Sequence, residues 1–71
     1  MTNLAERLKE LRNEKKLSQK DIAQYLKVDT RQIQNYEYDK AHPPLNRVIE
    51  LADLFGVSID YLTGRSDKRN C

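Results

Sequence analysis

Leu17-Ser18-Gln19-Lys20-Asp21-Ile22-Ala23-Gln24-Tyr25-Leu26-Lys27-Val28-Asp29-Thr30-Arg31-Gln32-Ile33-Gln34-Asn35-Tyr36-Glu37 is the stretch that decides the fold. Ser18 is a good helix N-cap, and Asp21, three positions on, sits where a capping box has an acid. Ile22, Ala23 and Leu26 follow at helical spacing, which predicts a helix from Gln19 to about Leu26. Leu17, just before the cap, is placed as a hydrophobic staple. Lys27-Val28 is a short break, and Asp29 caps a further helix from Thr30 to about Tyr38. Its inward residues are Ile33, Tyr36 and part of Glu37. Its outward residues are Thr30, Arg31, Gln34, Asn35 and Tyr38. Solvated helix faces are normally rich in Glu and Lys, so a face of amides, hydroxyls and one guanidinium is unusual.

The same grammar extends to both sides. Upstream, Leu4, Leu8 and Leu11 recur at helical spacing with Ala5 and Arg12 beside them, Asn3 is a cap, and the helix should run to about Glu14. The basic pair Lys15-Lys16 suits its C-terminus. Glu6, Arg7, Lys9 and Glu10 read as a solvated face. Downstream, Ala41-His42-Pro43-Pro44 is a loop, because proline stops one helix and can open the next. A fourth helix is predicted from about Leu45 to Phe55, with Leu45, Val48, Ile49, Leu51, Ala52 and Phe55 mostly buried, and Gly56 ends it. Ser58 caps a short fifth helix containing Ile59, Tyr61 and Leu62, closed by Gly64. The expectation is an all-α domain of five short helices over residues 1–65, with a short polar tail over residues 66–71.

With 71 residues the chain makes one domain. Its formal net charge is +2 and its isoelectric point about 8.8. That is below the value of about 9 expected of a strong electrostatic footprint, so charge alone does not point to nucleic acid. The single cysteine, Cys71, cannot form an internal disulfide and reads as an incidental thiol. No apolar run is long enough for a membrane span, and Met1 to Glu6 lack a signal-peptide pattern, so a cytoplasmic location is expected. Paired carboxylates in a pocket, a Ser/His/Asp set, a metal cluster and a glycine-rich phosphate loop cannot be assembled, which argues against an enzyme. His42 has no metal-spaced partner. No cofactor, metal or small-molecule ligand is expected.

The second helix, the break and the third helix form a functional unit. Two helices joined steeply by a turn of a few residues need a small residue where they touch, supplied by Ala23. Val28 plugs the turn and Ile33 anchors the third helix. The N-terminal half of that helix is then left protruding, and a DNA major groove accommodates one α-helix in this orientation. Thr30, Arg31, Gln34 and Asn35 face the base edges. Arginine can pair bidentately with guanine, and asparagine or glutamine with adenine. Ser18 and Gln19 lie at the exposed start of the second helix, where free N–H groups and the helix dipole favour a phosphate. Tyr38, Lys40 and His42 are placed for the neighbouring DNA backbone.

Taken together, Leu17 to Ala23, Val28-Asp29, Ile33, Tyr36-Glu37, Lys40 and the following prolines resemble the Cro/C1-type (XRE) helix-turn-helix family. Leu54-Phe55-Gly56-Val57-Ser58-Ile59-Asp60-Tyr61-Leu62 looks like that family's last two helices, so the resemblance covers about Leu4 to Gly64. It implies a five-helix, phage-repressor-like DNA-binding domain that reads double-stranded operator DNA, as a transcriptional regulator and most simply a repressor. It implies that Gln19 is a phosphate-binding glutamine and that Thr30, Arg31, Gln34 and Asn35 read bases. It also implies that Arg12 and Glu37 form a buried ion pair joining the first helix to the third. Lys27 and Asp39 stand where the family usually has glycine, so both are expected in a left-handed conformation. A homodimer is expected, pairing mainly on DNA through an isologous contact around Ile59, Tyr61 and Leu62. The competing reading is a protein-interaction module of the same fold, an antitoxin or anti-repressor. It draws on the balance of Lys27, Arg31 and Lys40 against Asp29, Glu37 and Asp39.

Overall fold

The computed structural model describes residues 3–69. Cys71, read above as an incidental thiol, lies outside the described residues. Five helices follow in order: α1 Leu4–Glu14, α2 Gln19–Leu26, α3 Thr30–Glu37, α4 Leu45–Phe55 and α5 Ile59–Leu62. The chain is all-α, as the caps and periodicity predict. The Asn3 side chain accepts from the Glu6 amide at 2.9 Å. Ser18 Oγ accepts from the Asp21 amide at 3.0 Å while the Asp21 carboxylate accepts from the Ser18 amide at 2.9 Å, a reciprocal capping box. Asp29 caps α3 through the Arg31 amide, and Ser58 caps α5 through the Tyr61 amide.

The helices end alike. In each, the amide that follows the left-handed residue reaches back five residues, while the left-handed residue's own amide reaches back three. Examples are Val28 to Ala23 with Lys27 to Gln24, and Val57 to Ala52 with Gly56 to Asp53. This closure requires a left-handed residue. Glycine supplies it after α4, where Gly56 has φ 67°. After α2 and α3 the residues are Lys27 and Asp39, both at φ 60°, as their positions in the family pattern predict. Lys16, at φ 58°, does the same after α1, which the sequence did not announce.

One core lies between the helices. Leu8 and Leu11 of α1, Ile22 and Leu26 of α2, Ile33 of α3, Leu51 of α4 and Leu62 of α5 are fully buried. Leu17 and Val28, in the two turns that frame α2, pack against this cluster. The buried stripe of α4 is Val48, Leu51, Ala52 and Phe55. Leu45 and Ile49, expected among its mostly buried residues, are 67% and 41% exposed. They form an i, i+4 row beside the stripe that no described helix covers.

One expectation near the N-terminus is corrected. Arg7 is not part of a solvated face: it is 6% exposed. Its guanidinium lies 3.8 Å from the centroid of the Tyr61 ring and donates to Asp67 at 2.8 Å. The cause lies in residues 66–69, the described part of the short polar tail. They run back along α5 to α1. The Ser58 amide donates to the Arg69 carbonyl and the Ser58 hydroxyl to the Lys68 carbonyl. Arg69 then forms a bidentate pair with Glu14, at 2.6 and 2.7 Å.

Candidate DNA-binding surface

The relation of α2 to α3 rests on small and apolar residues at the crossing. Ala23 and Ile33 are buried, Val28 half-buried between them, and α2 packs directly on α3. A larger residue at 23 would push the helices apart. A polar connection holds α3 from the other side. Arg12 Nε donates to Glu37 Oε2 at 2.6 Å, and a second guanidinium nitrogen to Glu37 Oε1 at 3.2 Å. A third Arg12 donor reaches the Leu17 carbonyl at 3.1 Å. The Glu37 side chain is 1% exposed, so its charge is stable only with this partner. Gln19 adds to the same carboxylate, its side-chain N–H donating to Glu37 Oε1 at 3.2 Å. One network therefore ties α1, the start of α2 and the end of α3 together.

On this platform the first turns of α3 face outward. Arg31 is exposed, and Thr30, Gln34 and Asn35 are half-buried. Gln32 is exposed as well and was not among the expected site residues. The signal was its position, three residues before Asn35 and beside Arg31 on the same turn. The Asp29 carboxylate is engaged with the Arg31 amide. At the start of α2 the Ser18 oxygen accepts from the Asp21 amide, while its hydroxyl proton remains available as a donor. Hydrogen bonds from the Ser18 backbone and side chain hold the Asp21 carboxyl below the usual aspartate range, so it is ionised at neutral pH.

After α3, Tyr38 is 59% exposed, with the Lys9 ammonium 5.7 Å from its ring centroid. Lys40 and His42 are exposed in the following loop. The His42 imidazole stands 3.8 Å from the Asp39 carboxylate. The residues named for DNA thus lie at the α2 start, along α3 and in the loop behind it.

The expected self-association residues do not stay together. Tyr61 and Leu62 are 7% and 0% exposed and belong to the core. The premise that α5 is too short to bury them fails, because α1 and residues 66–69 close over it. Ile59 alone of the three is exposed, at 39%. It borders a shallow groove with Ile49, Ala52, Val57, Asp53 and Asp60.

The fold and this face define a helix-turn-helix domain. A helix-turn-helix family model matches residues 8–62, and the chain belongs to the Cro/C1-type (XRE) helix-turn-helix family of transcriptional regulators. It is 35% identical over 65 residues to the HTH-type transcriptional regulator ImmR of Bacillus subtilis (strain 168), covering 92% of this chain and 51% of that one. It is 39% identical over 57 residues to the SPbeta prophage-derived uncharacterized HTH-type transcriptional regulator YonR of the same organism, covering 80% of this chain and 53% of that one. A solved structure of a transcriptional regulator from Listeria innocua superposes with a TM-score of 0.83 at 38% identity, over 86% of this chain and 57% of that one. The chain therefore spans about half the length of the curated relatives it matches. The family is one of regulators rather than of enzymes. Among the described residues no helix is long and apolar enough to cross a membrane.

Proposed function

We propose that this chain is a sequence-specific double-stranded DNA-binding domain that represses transcription by seating α3 in the major groove of an operator. The supporting observation is the outward front of α3, where Arg31, Thr30, Gln34 and Asn35 present donors and acceptors from a rigidly held helix. Base reading needs such groups on an element that does not move. Ser18, Gln19, Tyr38, Lys40 and His42 act on the flanking phosphates, fixing register without carrying sequence information. The relatives named as transcriptional regulators support the same reading. No cofactor enters the activity.

A single α3 reads only a few base pairs, which is too little discrimination for a genome. We therefore assign a homodimer on DNA, its contact built on Ile59 with the neighbouring Ile49 and Val57. That patch is small, so the free protein is largely monomeric at micromolar concentration and pairs when two half-sites hold the copies together. Selection of bound sequences from random duplex DNA tests the whole proposal. The expected product is an inverted repeat, and Arg31→Ala should lose about 1 to 3 kcal/mol on it and relax one base position in each half-site. Equal binding by parent and variant, or selection of no shared sequence, contradicts the proposal and favours the protein-interaction use of this fold.

A further inference from the structure

We infer that Gln32 is a further specificity-determining residue and that Tyr36 positions its amide so that the NH₂ group, rather than the oxygen, is the end left for the groove. The inference rests on the proposed seating of α3 in a major groove. Gln32 is exposed on the first turn of α3, adjacent to Arg31 and one turn before Asn35 and Tyr36. Tyr36 is the opposite kind of residue: it is 6% exposed and part of the core cluster. Its hydroxyl nevertheless has a polar partner, the Gln32 side-chain oxygen, at 3.3 Å. A buried tyrosine hydroxyl needs such a partner, so the contact serves the core as well as the surface.

The consequence lies in which end of the amide is left. A free glutamine reads adenine by donating to N7 and accepting from the N6 amine, which uses both ends. In Gln32 the oxygen accepts from Tyr36, so the NH₂ group is the end that this contact leaves unengaged. A group that only donates matches edges that only accept. In the major groove these are guanine, through N7 and O6, and thymine, through O4. Cytosine presents only an amine, and adenine offers N7 beside an amine that needs the engaged oxygen, so the NH₂ group pairs less completely with either. Tyr36 thereby disfavours the base that a glutamine most readily takes. It does so without touching DNA, as a positioning residue.

The test is selection from random duplex DNA with the parent, Gln32→Ala, Gln32→Glu, Tyr36→Phe and Arg31→Ala. The parent should select guanine or thymine at one position per half-site, next to the position that Arg31→Ala relaxes. Gln32→Ala should relax that neighbouring position alone, by about tenfold. Tyr36→Phe frees the oxygen and should admit adenine there while leaving the other positions unchanged, which loss of packing would not do. Should Tyr36→Phe unfold on heating below the assay temperature, Gln32→Glu carries the same question. It replaces donors by acceptors and should move the preference to cytosine or adenine. Adenine selected by the parent at the Gln32-dependent position overturns the inference. So does a uniform loss on all sequences in Gln32→Ala, which marks a phosphate contact, or an unchanged profile in both Gln32 variants. The underlying reading fails separately, if Arg31→Ala leaves binding to every duplex as it is in the parent.

Discussion

At the residue scale, the charges that matter are those withdrawn from water. Glu37 lies in the interior, and Arg12 is what makes it tolerable there, through a close Nε contact of 2.6 Å. Removing either partner leaves the other desolvated and unpaired. Arg12→Ala or Glu37→Ala should therefore cost about 3 to 5 kcal/mol in urea unfolding, a large share of a small domain's stability. The double variant should lose less than the sum of the two. Strict additivity would mean that the side chains do not interact. This pair was legible because both residues fall on recognisable positions of one family pattern. Arg7 was not, although it too is buried. Its partner Asp67 lies 60 positions away in a segment of polar residues with no periodicity. Nothing local in Glu6 to Glu10 separates a buried arginine from a solvated one, because long cationic side chains suit either place. Gln32 was missed for a related reason. The partner that orients it, Tyr36, announces itself in the sequence only as core.

At the element scale, caps and stops were the legible features, since each is a single residue type at a defined offset. Ser18 with Asp21, Asp29, Ser58 and Gly56 all act where their chemistry suggests. Lys16 was opaque because a lysine at a helix C-terminus is already accounted for by the dipole, without any need for positive φ. The least legible element is the return segment over residues 66–69, which is held by side-chain pairs and the two Ser58 bonds rather than by periodicity. The Arg69 side-chain hydrogen bonds, reinforced by its charge, hold the Glu14 carboxyl below its ordinary value. A carboxyl with a depressed native pKa favours the folded arrangement fully above its unfolded pKa, about 4.3, and that contribution fades as pH falls below it. Acid should therefore release the return segment before the core. The Ser58 amide, which donates to the Arg69 carbonyl, reports it. Hydrogen exchange corrected for intrinsic rates should show Ser58 losing protection below about pH 4 while the Leu11 and Ile33 amides keep theirs. Glu14→Gln should show the weaker protection already at neutral pH. A Ser58 amide equally protected from pH 3 to pH 7 in the parent would contradict this account.

At the scale of the whole molecule, shape and charge set the terms of DNA binding. The domain measures 29 × 22 × 21 Å, while half-sites one helical turn apart are centred about 34 Å from each other. In the proposed dimer, two copies on one face of the duplex would meet only at their margins, as a contact no larger than the Ile59 patch requires. The fold itself was legible almost entirely, because five short helical segments, four of them with side-chain caps, and short connections have few ways to share one core. The surface proposed here for self-association was not. Which apolar residues of α5 remain exposed depends on α1 and on the return segment, neither of which is local to it. The charge over residues 27–42 is nearly balanced, so attraction to duplex DNA must come from where the cations stand. Lys40 lies on the proposed face, while the Glu37 charge is neutralised inside the domain by Arg12. The central claim is that this face binds duplex DNA, and the most direct measurement is the affinity of parent and Lys40→Ala for a selected duplex across salt concentrations. A steep linear fall of log K with log salt is expected in the parent, and a slope smaller by about one in the variant, at unchanged base preference. Binding that ignores salt, or identical slopes in the two proteins, would contradict it.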